Sequence, residues 1–271
     1  EISACLVGSE MCIRDSYTLE SKDTLLGAYL GYEKGSGILE GNSVTSIYAD
    51  KELGENTISI DGALYECDAD VSKYLGSKVK FYYEEVPGGL NRMIYIYAIN
   101  SKNKVAEFTT DEYDIDYSAG KYSISAKEGG KSKNYNLTAD KSVIYNGKYL
   151  GSYTDNELTF VPSNGSVRLI DSGNGYGVVM IEDIKTYVVG SYDYDKGYIY
   201  DYKSGELIDL SNTDKLVILD NDESECAIND IKQWNILSVV QSKDKKLTTV
   251  HLSTASVEGS VCGENSGAVR P

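Results

Sequence analysis

Apolar residues recur at every second position through most of this chain, and Gly, Asn, Asp and Ser break the runs every few residues. That period predicts strands joined by tight turns. The pattern is clearest from Lys215 to Leu252. Leu216 to Leu219 reads as a strand, Asp220 to Asp222 as an acidic turn, and Cys226 with Ile228 as the return. A helical turn over Asp230 to Trp234 then leads into a hairpin, Ile236 to Val240 against Leu247 to Leu252. The same order occurs earlier as Thr57 to Ile60, a turn at Asp61 and Gly62, and Ala63 to Cys67. An Asp-capped helical turn over Asp70 to Leu75 follows, then Val79 to Tyr83 against Met93 to Tyr97, where Ile94 and Ile96 should share one side and Tyr95 and Tyr97 the other. One β-rich unit used more than once is the expectation.

Two apolar residues, a Gly, a small residue and an apolar or aromatic one mark the unit openings, at Leu25 to Tyr29, Val188 to Tyr192 and Val257 to Val261. A Gly inside a strand signals a bulge or bend. The predicted organisation is a leader over 1–24, β modules over 25–104, 105–187 and 188–256, and the start of a further module or a disordered tail over 257–271. Modules of roughly 70 to 80 residues are large enough to fold alone. In the second, Tyr122, Ile124 and Ala126 alternate, Lys127 to Lys133 reads as a loop, and Asn146-Gly147 predicts a type I′ hairpin turn. Val167 to Ile170 should pair with Val178 to Ile181. The expected fold is all-β, a tandem of small barrel-like modules of SH3 or OB type, each with a short closing helical turn.

Charge narrows the partners. With 42 acidic against 26 basic residues and a net charge of −16, the chain repels phosphate backbones and anionic headgroups, so nucleic acid is not expected as a partner. No stretch approaches the roughly 20 apolar residues that cross a bilayer, so membrane insertion is not expected either. Ile2 to Ser16 (ISACLVGSEMCIRDS) fit neither period; they resemble translated linker sequence and are set outside the fold. The start at Glu1 makes the chain read as a fragment. Of five cysteines, Cys5, Cys12 and Cys262 fall in the two ends, while Cys67 and Cys226 hold matching places in two copies of the unit. Those two should be free, buried thiols, each facing its own core.

Candidate chemistry is sparse. Tyr192, Tyr194, Tyr198, Tyr200 and Tyr202 stand at even positions around a turn at Asp195 to Gly197, which predicts an aromatic face on one hairpin. Flat rings beside Asp193 and Asp201 could stack on sugars; tyrosines also fill half-exposed cross-strand pairs. Asp171 to Gly175 resembles a worn calcium loop but lacks ligands at two of its positions and reads better as a turn. Asp220 to Glu225 is an oxygen-rich turn. His251, the single histidine, alternates out of phase with Val250 and Leu252 and should face solvent, so no zinc site or serine triad is expected. Gly129 to Ser132 has the wrong spacing for a phosphate loop. No catalytic residue, metal or cofactor is nominated.

Five stretches stand out together: ISIDGALY (Ile58 to Tyr65), YLGSKVKFYY (Tyr74 to Tyr83), VIYNGKY (Val143 to Tyr149), Val167 to Val189, and Asp230 to Gly259. Through them the chain, from about Leu25, resembles the repeat regions of large, clostridial-type Gram-positive surface proteins that also carry S-layer homology domains. It implies a non-catalytic spacer at the cell wall or surface, with neighbouring modules of the same protein or wall glycan as partners. The alternative from the residues themselves is a carbohydrate-binding module using the Tyr192 to Tyr202 face.

Overall fold

The computed structural model describes residues 26–27, 30–48, 53–119, 121–128, 131–150 and 160–255. The described residues are mostly β, 57% strand and 6% helical. Its described residues divide into two compact units, one running to Asp183 with Ser242–Asp244, the other comprising Ile184–Gln241 and the residues from Lys245 onward.

The first unit opens with β1 (Glu33–Gly41), β2 (Thr57–Ile60), β3 (Ala63–Glu66), β4 (Lys78–Glu84) and β5 (Asn91–Ala98), which close into a barrel in the order β1-β2-β3-β5-β4. Closure depends on β1, which pairs with β4 from Glu33 to Ile38 and then with β2 from Leu39. Two glycines let it pass so near the core. A Cβ on Gly37 would lie 2.5 Å from Asp61 Oδ2 and 2.7 Å from Ile60 Cγ2, and one on Gly35 would overlap the Phe81 ring. Asp61 and Gly62, at φ 45° and 78°, form the two-residue turn between β2 and β3. The 3-10 turn η1 (Ser72–Tyr74) follows, its entry held by Asp70 Oδ1 accepting the Ser72 amide at 2.9 Å. It drives Val71 and Leu75 into the barrel core beside Leu39, Ile58 and Val79.

After η2 (Asn100–Lys102) come β6 (Lys104–Thr109), β7 (Tyr113–Ser118), β8 (Lys121–Glu128), β9 (Lys131–Tyr145), β10 (Lys148–Tyr149), β11 (Gly165–Asp171) and the first part of β12 (Tyr176–Asp193). Strand β11 lies antiparallel between β6 and β12, and β12 runs parallel to β9. One side of this sheet buries Phe108, Tyr135, Phe160, Leu169 and Val179. The residues in between, Ile144, Ile170 and Val178, belong to the core of the barrel. As expected, Asn146 and Gly147 take positive φ (44° and 81°) and join β9 to β10, and Val167 pairs with Ile181.

The second unit holds β12 from Ile184, β13 (Tyr198–Asp201), β14 (Leu207–Asp209), β15 (Lys215–Leu219), η3 (Ile228–Asp230), β16 (Ile236–Gln241) and β17 (Leu247–Ser253). The strands bond in the order β15-β17-β16-β12-β13-β14, with β15 and β17 parallel. Their core is Val189, Ile199, Ile218, Ile231, Leu237 and Val250 among others.

Four expectations need correction. The tandem of SH3- or OB-like barrels is not what forms: among the described residues the closed barrel is β1 to β5, and the C-terminal part stacks in β-solenoid-like coils of about three turns. The physical reason is strand pairing, because the order of elements recurs while the edges they bond to do not. The opening assigned to Leu25 to Tyr29 is not a strand where it is described, since Leu26 and Gly27 lie in a π-helical turn whose carbonyls accept the Tyr32 and Gly31 amides. Its other residues, like the opening at Val257 to Val261, lie outside the described residues. The loop expected over Lys127 to Lys133 is instead strand on both sides, Lys127 pairing with Ser132 and Ala126 with Lys133. Finally, Ile94 and Ile96 do not share a face. Tyr82 pairs with Tyr95 and Tyr83 with Met93, so Ile94 is the extra residue of a bulge, exposed while Ile96 is buried.

Candidate ligand-binding surface

The aromatic hairpin of the second unit is formed by the end of β12 and β13. Asp193 pairs with Tyr198, Tyr192 with Ile199 and Ser191 with Tyr200. The connection is therefore the four residues Tyr194 to Gly197, closed by the Gly197 amide donating to the Tyr194 carbonyl at 3.2 Å and the Lys196 amide to Asp193 Oδ1 at 3.3 Å. An even loop places odd positions of one strand opposite even positions of the other. The five tyrosines consequently divide, because residues paired directly across strands share a face.

Tyr192 lies on the side of Ile199, which is fully buried. Its ring stacks on Tyr194 with centroids 4.2 Å apart, and the Tyr194 hydroxyl donates to the Ile231 carbonyl at 2.5 Å. Burial, then the Tyr192 hydroxyl, push the Tyr194 phenol up to about 12. This pair anchors the hairpin to its own core. Tyr198, Tyr200 and Tyr202 alternate onto the opposite face, and Tyr202 meets Trp234 edge-on at 4.6 Å. Sequence reasoning missed Trp234 because it sits after η3, in a segment expected to be helical. The signal was available in its being the single Trp of the chain.

Beyond Gly190 the register shifts again, Val189 pairing with Asp201. A Cβ at Gly190 would meet Tyr202 Cα at 3.0 Å, so glycine is what the close approach requires. Asp201 is buried at this point. Its Oδ1 accepts the Val188 amide at 2.9 Å, and its Oδ2 accepts the Ser204 amide and hydroxyl, each at 2.7 Å. The Ser204 amide and hydroxyl, with the Val188 amide, hold its carboxyl below the ordinary value of 3.8.

Other carboxylates that looked free in the sequence do the same work. Asp171 Oδ1 accepts the amides of Gly173 and Gly175 at 2.8 and 2.9 Å while Lys104 Nζ lies 3.3 Å from its Oδ2. Burial opposes ionisation there, and the two amides and the ammonium outweigh it. Asp220 Oδ1 accepts the amides of Asp222 and Ser224, and Asp209 Oδ1 accepts the Ser211 amide and hydroxyl. Asp183 takes the Tyr145 hydroxyl at 2.6 Å and the Ser163 amide at 3.0 Å. Each acid closes the turn or strand end beside it. Among the described residues no group of three or more His, Cys, Asp and Glu is placed to hold a metal ion, and no helix is long and apolar enough to cross a membrane. His251 is exposed between buried Val250 and Leu252. No protein-family model matches the chain, and no curated protein matches it by sequence.

Proposed function

We propose that the chain is a non-catalytic structural spacer of a bacterial cell-surface protein of the S-layer type, located outside the cell at the wall or surface. The observation that carries this reading is the use made of the acids. Asp171, Asp183, Asp201, Asp209 and Asp220 accept backbone amides at turns and strand ends, so at least one oxygen of each carboxylate holds the fold. A net charge of −16 on such a scaffold suits a crowded, hydrated exterior. Repeat-like stacked coils support the same reading, since stacked units extend a spacer without new chemistry.

The test is protease shaving of intact cells that encode the chain, with immunodetection of the fragments. Peptides of this chain should leave with the surface fraction. Recovery solely from the cytosol would overturn the proposal, as would hydrolysis of wall polysaccharide by the purified chain.

A further inference from the structure

The outward face of the second unit carries a contiguous aromatic strip whose membership differs from the run of tyrosines in the sequence. Register defines it. Tyr200 stands opposite Leu207 on β14, the Tyr202 amide donates to the Val188 carbonyl at 2.7 Å, and Val188 stands opposite Ile236 on β16. Trp234 closes the strip against Tyr202. Tyr202 is 60% and Trp234 56% exposed, and Tyr200, Leu207 and Ile236 are exposed as well. Isolated apolar residues on a surface need no explanation, but a connected set of this kind marks an interaction site.

Trp234 is held there against its backbone preference. Its φ is 73°, a region that bulky residues avoid, and its amide donates to the Val189 carbonyl at 2.8 Å. A left-handed tryptophan with its ring in water indicates that the ring's position matters more than local strain.

What the strip would take follows from its other end. Tyr198 pairs with Asp193 on one side and Asp209 on the other, so a tyrosine flanked by two carboxylates continues the same face; Lys196 Nζ lies 3.2 Å from Asp193 Oδ2, and Asp209 accepts the Ser211 amide and hydroxyl through Oδ1 alone. The centre of a protein-binding surface is depleted of charge, which disfavours a protein partner. Anionic polymers meet these carboxylates and a net charge of −16. A neutral sugar chain satisfies both ends: its C–H faces lie on flat rings, and its hydroxyls donate to fixed carboxylate oxygens. We infer that Tyr198, Tyr200, Tyr202 and Trp234, with Asp193 and Asp209, form a binding platform for neutral polysaccharide. This goes beyond the spacer role and does not depend on it.

The experiment is affinity electrophoresis of the full chain in gels containing amylose, laminarin, xylan or mannan, with polygalacturonate as the acidic comparison. At least one neutral polymer should retard the chain. Tyr202→Ala and Trp234→Asn should weaken retardation at least tenfold, asparagine being chosen because it tolerates the left-handed backbone. Tyr192→Ala, on the other face, should change it less than twofold. Circular dichroism confirms that each variant is folded. Retardation by no neutral polymer, or by polygalacturonate alone, would overturn the inference. Equal weakening by Tyr192→Ala would overturn it too, as would sedimentation showing that a second copy covers Trp234.

Discussion

The barrel and the C-terminal unit are written with the same run of elements, and only the first closes. In both, an acidic turn leads to a cysteine, a 3-10 turn that buries an apolar residue, and an antiparallel hairpin: η1, β4 and β5 in one, η3, β16 and β17 in the other. In both, a preceding long strand bonds to the first strand of that hairpin, β1 to β4 and β12 to β16. The difference lies in what that long strand does next. The end of β1 goes on to β2, which completes the ring. The end of β12 turns back through Tyr194 to Gly197 into β13, which in turn bonds to β14, so the edge that would close a ring is already occupied. One inserted hairpin thus converts a closed cylinder into an open, ordered sheet, and the same hairpin carries the aromatic strip.

The largest effects should come from emptying either core. Leu39 and Leu237 are both fully buried, in the barrel and in the C-terminal unit respectively. Leu39→Ala and Leu237→Ala should each cost about 2–5 kcal/mol by leaving a cavity. Because the two sets of core residues are disjoint, hydrogen exchange should accelerate first in β1 to β5 for Leu39→Ala and in β12 to β17 for Leu237→Ala. Uniform acceleration by both would show that the two regions unfold as one.

Glycines separate the two outcomes next. On β1, Gly37→Val would put carbon against Asp61 and Ile60, and the barrel should lose about 1–3 kcal/mol by overpacking. On β12, Gly190→Ala meets three backbone atoms, Tyr202 Cα at 3.0 Å, Tyr202 N at 3.2 Å and the Tyr200 carbonyl oxygen at 3.3 Å, and a loss of about 1 kcal/mol is expected from those tight contacts. Denaturant midpoints at constant slope would rank them. If Gly190→Ala proved the more damaging, the closed ring would not be the more demanding of the two structures.

These positions also show what was legible beforehand. Strands were readable where Tyr122, Ile124 and Ala126 alternate and are buried as that alternation demands, and where Val167 to Ile170 form an apolar run whose Leu169 and Ile170 enter different cores; the return expected at Cys226 and Ile228 is not a strand, Ile228 lying in η3. Parity across a connection was not readable. One residue more in the loop after Asp193 put Tyr192, itself exposed, on the face of buried Ile199 and not on that of Tyr198 and Tyr200, and one extra residue at Ile94 sent it outward. Pairing was hidden for the same reason, since nothing local in Val188 to Asp193 says whether its free edge will meet an upstream strand or the next hairpin. The aromatic platform was therefore half visible: Tyr198, Tyr200 and Tyr202 from their spacing, Trp234 only once the chain is folded.

The inserted hairpin gives the C-terminal unit an acid-sensitive contact of its own in Asp201, as Asp171 does for the first unit. Its folded carboxyl titrates below 3.8, so it stabilises the fold at pH values above the unfolded range and the contribution is lost as pH falls through the lower folded value. Asp209, lowered by the Ser211 hydroxyl and amide despite some burial, acts in the same direction. Asp201→Asn keeps the shape, loses the charge-assisted hydrogen bonds, and should cost about 1–3 kcal/mol at neutral pH. As pH falls through the lowered folded value, the variant and the parent should converge. A difference that stays constant throughout acid titration would mean that packing, not ionisation, accounts for Asp201.

The smallest effect tests the equivalence of the two regions at a single atom. Cys67 and Cys226 occupy matching places and both are free, but Cys67 is buried and Cys226 only half-buried. Burial raises both thiols, with Asp68 and Asp70 adding to it at Cys67, and Asp230 and Asp220 at Cys226. Thiolate scarcity should therefore slow both, and access should decide between them. Cys67 also has its amide donating to the Asn56 carbonyl at 2.6 Å and sits beneath a closed ring, so reagent must wait for the barrel to open. Iodoacetamide labelling read by peptide mass spectrometry should modify Cys226 at least tenfold faster than Cys67, and mild denaturant should erase the gap by accelerating Cys67. Equal rates in native buffer would mean that the ring gives Cys67 no protection beyond that of the open sheet.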